Sequence, residues 1–263
     1  MIEEHLINNN IHSTAIVNPK STLGKDTIIG PYAIIDKDVR IGNNCEIGPH
    51  VNIKSNVIIG NNCKVLNSSA IGLDPQDLKY NGENTNLIIG NNTTIREFCS
   101  INRGTIDSNE TVIGNNSLLM AYVHVAHDCI VGDNVILANG VQLGGHVIIQ
   151  NNVTVGGMTP VHQFCQLGEY SFVAGGYRVV QDVPPYILAQ GEPLRYYGLN
   201  SVGLRRNGFS NEVRGLLKKA YSIIYKSDMN LSQAIDKINN NINDSLEVEN
   251  ILNFIKKSNR GLI

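Results

Sequence analysis

An aliphatic side chain returns at every sixth residue from Ile11 through Val17, Leu23, Ile29, Ile35, Ile41, Ile47, Ile53, Ile59 and Val65 to Ile71. The same phase resumes at Ile89, Ile95 and Ile101 and runs on from Ile113 to Val179, broken only at Asp77, Glu83 and Asp107. A period of six suits neither an amphipathic helix nor an alternating strand. It suits a parallel β-helix whose triangular coil is built from three short strands, one per hexad.

The other positions of the hexad agree. Two residues before each aliphatic one stands a small or β-branched side chain, as at Ala15, Thr27, Ala33, Val39, Val51 and Val57, which would share the narrow interior. All five cysteines, Cys45, Cys63, Cys99, Cys129 and Cys165, hold this phase, lack a CxxC spacing and are odd in number. They read as buried small hydrophobes, with neither a disulfide framework nor a zinc site expected. Glycine often follows the aliphatic residue (Gly24, Gly42, Gly60, Gly90, Gly114), with Asn pairs behind it, and is expected to supply the positive φ of a tight corner.

The repeat is expected to fill residues 1–187, ending where Asp182-Val-Pro-Pro-Tyr186 brings two prolines that cannot donate to a ladder. Two excursions, about 72–86 and 102–111, interrupt it; a solenoid is stable without them, so they are candidates for binding. Residues 188–263 change period and read as a small α-helical domain. Ser210 would cap a helix to about Lys226, Asn230 one to about Asn239, and Asp244 with Glu247 would open a last helix to about Lys257.

The formal charge of -2 argues against a nucleic-acid binder, and no apolar run approaches the length of a transmembrane segment. Met1 to Asn10 lacks the charged start and apolar stretch of a leader, so a cytoplasmic location is expected.

Histidines concentrate late, at His124, His127, His146 and His162. In register His127 takes a corner slot that Asn or Asp usually holds, so it should face outward. One coil further on stands Gly145 above His127, and His146 above Asp128, at a coil spacing of about 4.8 Å. An imidazole oriented by Asp128 can take the proton of an attacking hydroxyl. A bare glycine amide beside it can hold the oxyanion that develops, which is the arrangement acyl transfer requires.

Taken together, the hexads, Gln76-Asp-Leu-Lys-Tyr80, Asn102-Arg-Gly-Thr105, His124-Val-Ala-His-Asp128, Gly157-Met-Thr-Pro-Val-His-Gln-Phe164, Gln181-Asp-Val-Pro-Pro-Tyr186, Gly203-Leu-Arg-Arg-Asn-Gly-Phe209 and Arg260-Gly-Leu-Ile263 carry a resemblance over nearly the whole chain. The chain resembles the acyl-carrier-protein-dependent UDP-N-acetylglucosamine O-acyltransferase family. The resemblance implies a left-handed coil, although parallel crossovers in general prefer the right hand. It also implies a homotrimer with clefts between subunits, no cofactor, and transfer of an (R)-3-hydroxyacyl chain from acyl carrier protein to the 3-hydroxyl of UDP-N-acetylglucosamine, the first step of lipid A assembly.

By the same resemblance His127 is the general base, Asp128 its orienting partner and the Gly145 amide the oxyanion donor. Gln76, Asp77, Lys79, His124, His146, His162, Gln163, Asn200 and Arg206 match positions associated with the nucleotide sugar, acyl chain or pantetheine. Gly175 matches the end of the acyl groove. The chain departs from some members at Asn102, Val202 and Asn207, where they carry His, an acid and Arg.

An independent feature points to an acidic carrier. Arg195, Arg205, Arg206, Arg214, Lys218, Lys219 and Lys226 face a single acid, Glu212, in that stretch. Three rival readings stand beside acyl transfer from acyl carrier protein. A paralogous acyltransferase on an acylated or 3-amino UDP-sugar usually carries an N-terminal uridine-binding domain, for which a repeat starting at Ile11 leaves no room. A zinc hydratase of the γ-carbonic-anhydrase kind would draw on His124, His127 and His146, whose spacing differs from the His-x4-His of those enzymes. A passive binding solenoid would need repeated outward Thr ladders, where this chain has Arg40, Glu46, Asn52 and Lys64.

Overall fold

A computed structural model describes residues 6–7, 10–242 and 245–263. Among them the chain winds into three sheets of twelve, eight and eight strands that form the faces of a triangular prism. Each rung pairs in parallel with residues of its own phase: Ile29 with Ile47, Ile47 with Val65, Val65 with Ile95, Ile95 with Leu119. The side chains at these positions, together with Ala33, Val39, Cys45, Val51, Val57 and Cys63, are almost fully buried and stack as one continuous core. All five cysteines are free and buried within it, as their phase predicts.

The corners work differently from the sequence expectation. The left-handed φ falls not on the glycine after the aliphatic residue but two positions later, at Asp26, Asp38, Asn44, Asn56, Asn62 and their counterparts. Of the glycines in that phase only Gly72 has a positive φ. The requirement is steric: a Cβ on Gly42 would meet the Gly60 carbonyl carbon at 2.7 Å, and one on Gly24 would meet that of Gly42 at 2.4 Å. Successive coils simply pass too close there for a side chain.

One corner is stitched by an amide ladder. Asn43 N–H donates to the Asn61 side chain, Asn61 to Asn91, Asn91 to Asn115, Asn115 to Asp133 and Asp133 to Asn151, at 2.6–2.8 Å. The sequence separation along this ladder is 18 residues, then 30 and 24, then 18 again. The longer steps mark the two excursions, between Leu73 and Asn86 and between Asn102 and Glu110, both of which leave from a different corner.

The coil does not stop at residue 187. Ile187–Gln190 continues the twelve-stranded sheet in parallel with Phe172–Val173, and Arg195–Leu199 closes it as an antiparallel strand. The helical part therefore begins at Ser201, and it has four helices where three were expected: α1 (Ser201–Arg206), α2 (Asn211–Lys226), α3 (Leu231–Asn241) and α4 (Leu246–Lys257). Ser210 and Asn230 cap α2 and α3 as predicted, the latter in a full capping box with Gln233. The cap of α4 is Ser245, whose Oγ accepts from Val248 N; Asp244 lies outside the described residues. Tyr221 of α2 docks the helices onto the coil by donating to Pro185 O at 2.6 Å from a fully buried position.

Candidate active site

Both excursions and the late histidines emerge from one corner of the prism, the one joining the face of Val125 and Leu143 to the face of Val131 and Ile149. There they enclose an open cleft of about 550 Å³ lined by Gln76, Asp77, Leu78, Lys79, Asp107, His127, His146, Gln163 and Phe164. The first excursion supplies one wall. Its root is held by Arg103, whose Nε donates to Gly72 O at 3.0 Å, and by Asn102, whose Nδ2 donates to Asp74 O at 2.6 Å.

His127 lies over Gly145 as the register predicts: a Cβ on Gly145 would sit 2.7 Å from its Cε1 and 2.8 Å from its Nε2. His146 N donates to His127 O at 3.1 Å, completing the step between coils. The ring faces the cleft, but excursion and neighbouring rings cover it until its side chain is only 13% exposed. Its Nδ1 is 2.7 Å from Asp128 Oδ2. With Asp128 ionised this contact assigns the proton to Nδ1 and leaves Nε2 a free base.

Asp128 has no exposed side-chain surface. Burial alone would raise its carboxyl, but hydrogen bonds from Ser108, His127 and Thr105 outweigh it and hold the group down at about 2. His146 stacks on Phe164 with ring centroids 4.6 Å apart and presents its Nε2 3.6 Å from Asp128 Oδ2. Burial, first, and then the proximity of His127 lower His124, whose Nδ1 meets Ser100 Oγ at 2.8 Å. It stands beside the cleft on the prism face.

The Gly145 N–H has no acceptor among the described residues. At the equivalent slot of the ladder corner every amide from Asn43 to Asp133 is taken by a side chain of the next coil. A donor left free beside a base is poised for an oxyanion. His127, Asp128 and His146 also bring donor atoms within 4.8 Å of one another. Both Asp128 oxygens are already filled by protein donors, and His124 stands apart, so the group reads as an acid–base pair rather than a three-histidine cation site.

The structure thus gathers Gln76, Asp77, Lys79, His127, Asp128, Gly145, His146 and Gln163. His162 flanks them, exposed, with Nδ1 3.3 Å from Arg260 Nη2. The remaining candidates are elsewhere on the chain. Gly175 stacks on Gly157 at another corner. Asn200 is engaged as the cap of α1, accepting from Gly203 N and donating to Tyr170 O, and Arg206 is exposed at the end of that helix. Sequence reasoning missed Leu78, Asp107 and Phe164 in the cleft lining. It also missed Thr105 and Ser108 behind Asp128, for which only their place one coil before the dyad was a signal.

A family model described as "Udp N-acetylglucosamine O-acyltransferase; Domain 2" matches residues 182–263, and one for the six-repeat bacterial transferase hexapeptide matches residues 110–145. A curated acyl-carrier-protein UDP-N-acetylglucosamine O-acyltransferase of Thiobacillus denitrificans is 44% identical over 96% of this chain and 98% of its own. The enzyme of the same name from Sulfurovum is 49% identical over 96% of each. Among solved structures, LpxA from Acinetobacter baumannii covers 96% of this chain and 99% of its own, with a TM-score of 0.93 and 43% identity. The chain therefore shares the hexapeptide-repeat solenoid of these structures along nearly its whole length.

Proposed function

Because the chain belongs to the UDP-N-acetylglucosamine O-acyltransferase family, we propose that it moves a 3-hydroxyacyl chain from acyl carrier protein to the 3-hydroxyl of UDP-N-acetylglucosamine, at the outset of lipid A assembly. The observation that carries the chemistry is an imidazole with Nδ1 fixed by a buried carboxylate, seated on a glycine whose amide is free. In this reading His127 Nε2 takes the proton of the sugar hydroxyl as its oxygen attacks the thioester carbonyl. The resulting oxyanion accepts from Gly145 N–H. Asp128 stabilises the imidazolium, which then protonates the departing thiolate. A positioned base contributes about 10² to 10⁴ in rate and one oxyanion donor about 10² to 10³.

Gln76, Asp77, Lys79, His146 and Gln163 line the space for the acceptor. Gly175, Asn200 and Arg206 act on this cleft only if a neighbouring subunit brings them, which favours a homotrimer. A column of exposed aromatics supports that assembly: Tyr32 stacks on His50 and Phe98 on Tyr122, all four with left-handed φ, a costly conformation for such residues on a free surface. Arg195, Arg205, Arg206, Lys218, Lys219 and Lys226 are exposed, and no carboxylate lies within 4 Å of them among the described residues, which favours an acidic carrier. No described helix is long and apolar enough to cross a membrane, and we place the enzyme in the cytoplasm with its carrier.

The test is incubation with a panel of 3-hydroxyacyl carrier proteins and with UDP-N-acetylglucosamine or its 3-amino analogue, products being read by mass spectrometry. An O-acylated UDP-sugar is expected, together with a loss of several orders of magnitude in His127→Ala. Turnover that survives in that variant removes the base. Acylation of the 3-amino sugar alone reassigns the acceptor.

A further inference from the structure

We propose that Thr105 and Ser108, carried by the second excursion, are positioning residues for acyl transfer, fixing Asp128 and setting how strongly it supports the His127 imidazolium. The inference rests on the reading of His127 as base and goes beyond it to the residues that act through Asp128. Thr105 N donates to Asp128 Oδ1 at 2.8 Å, Thr105 Oγ1 to Oδ2 at 2.7 Å, and Ser108 Oγ to Oδ1 in a short contact. His127 Nδ1 shares Oδ2 with the Thr105 hydroxyl. Three of the four protein donors on the carboxylate therefore come from two residues of one loop, Thr105 and Ser108.

That loop is itself held on several sides. Gly104 O accepts from Thr85 Oγ1 at 2.5 Å, Gly104 N donates to Asn86 O, and Asn109 N closes a turn on Thr105 O. A Cβ on Gly104 would strike Glu110 N at 2.3 Å, so only glycine lets the loop lie down on the coil. Donors aimed from such a frame need no rearrangement when charge develops on the imidazole. Each also draws electron density from the carboxylate, so each weakens its hold on the imidazolium.

The other titratable groups around the pair do not take over this role. His146 presents Nε2 3.6 Å from Asp128 Oδ2, with exposed Asp107 3.9 Å beyond it. Burial lowers His124 and pushes the Cys129 thiol up to about 12, leaving both neutral. Asp77 and Lys79 stand across the cleft on the first excursion.

The experiment is the pH dependence of kcat/KM for Ser108→Ala, Thr105→Val and the double variant, with Ser108→Thr and Thr105→Ser as rescues. Ser108 is exposed, so its variant tests the idea even if the buried Thr105 variant folds poorly. Removing either hydroxyl is expected to move the acid limb to higher pH by roughly half a pH unit and so to lower kcat/KM on that limb by up to about threefold, with KM little changed. The hydroxyl-bearing substitutions return the limb toward its original place, and in an Asp128→Asn background losing Ser108 has no further effect. An acid limb that stays put or moves to lower pH overturns the proposal. If that happens while His127→Ala is inactive, the base stands and only the role of the loop falls; an active His127→Ala overturns both.

Discussion

Gly145→Ala tests the geometry of the cleft with a single methyl group. Gly145 is outside the left-handed region, so alanine fits its backbone. The added carbon would lie 2.7 Å from His127 Cε1, 2.8 Å from Nε2 and 3.3 Å from Nδ1. Carbon atoms settle at about 3.5–4.0 Å, so the ring must retreat by about 1 Å. It cannot retreat freely, since Nδ1 is tied to Asp128 at 2.7 Å and the ring meets His146 edge-on at a centroid distance of 5.3 Å. A misplacement of about 1 Å at a reacting group costs about 10²-fold, or roughly 3 kcal/mol of barrier. The assay is release of free carrier-protein thiol under saturating UDP-sugar, with a thermal melt as control. We expect an unfolding temperature within a few degrees of the unmodified chain and kcat lowered by about two decades. Turnover within threefold of the original would refute the reasoning, because it would mean that ring and amide do not act in contact.

Asp128 links the site to acid stability. Its folded carboxyl is held down at about 2, below the ordinary aspartate value of 3.8, so its contribution is complete above about 3.8 and is lost as pH falls through about 2. The amount is on the order of 2 kcal/mol; thermal melts of the unmodified chain and Asp128→Asn should therefore converge across that window, and a gap independent of pH would contradict the pairing. Two glycines should respond in opposite directions. Gly42→Ala forces a carbon to within 2.7 Å of backbone on the next coil and should cost about 1–3 kcal/mol, whereas Gly215→Ala, with open space in α2, should gain up to about 1 kcal/mol. Denaturant titration of both variants measures this, and an unweakened Gly42→Ala would show that the coil spacing can relax.

Much of this was legible in the residues because a solenoid is a local code. The hexad phase placed the core side chains, the cysteines and the superposition of Gly145 on His127, since each rung repeats the one below it. What the phase could not supply was the reason for the glycines: close approach of backbones is a property of two coils together, and no single coil announces it. The continuation of the sheet through Leu199 was also hidden, because Pro184 and Pro185 suggest an end and yet sit where ladder donors are not needed. The helix from Ser201 was missed for a related reason, its cap Asn200 having been assigned to a ligand. Within the site, His127 and Asp128 stood out by type and spacing. Thr105 and Ser108 did not, because they lie in an aperiodic segment whose course depends on Thr85, Asn86 and Glu110.

The amide ladder and the two excursions occupy different edges of the prism. Rungs stay tied through Asn61, Asn91 and Asn115 while the opposite side of those same coils swells by whole loops. Length can thus be gained or lost beside the chemistry without any storey of the building losing its seam. A lineage of such proteins is free to rewrite what it recognises while leaving untouched the masonry that keeps it upright.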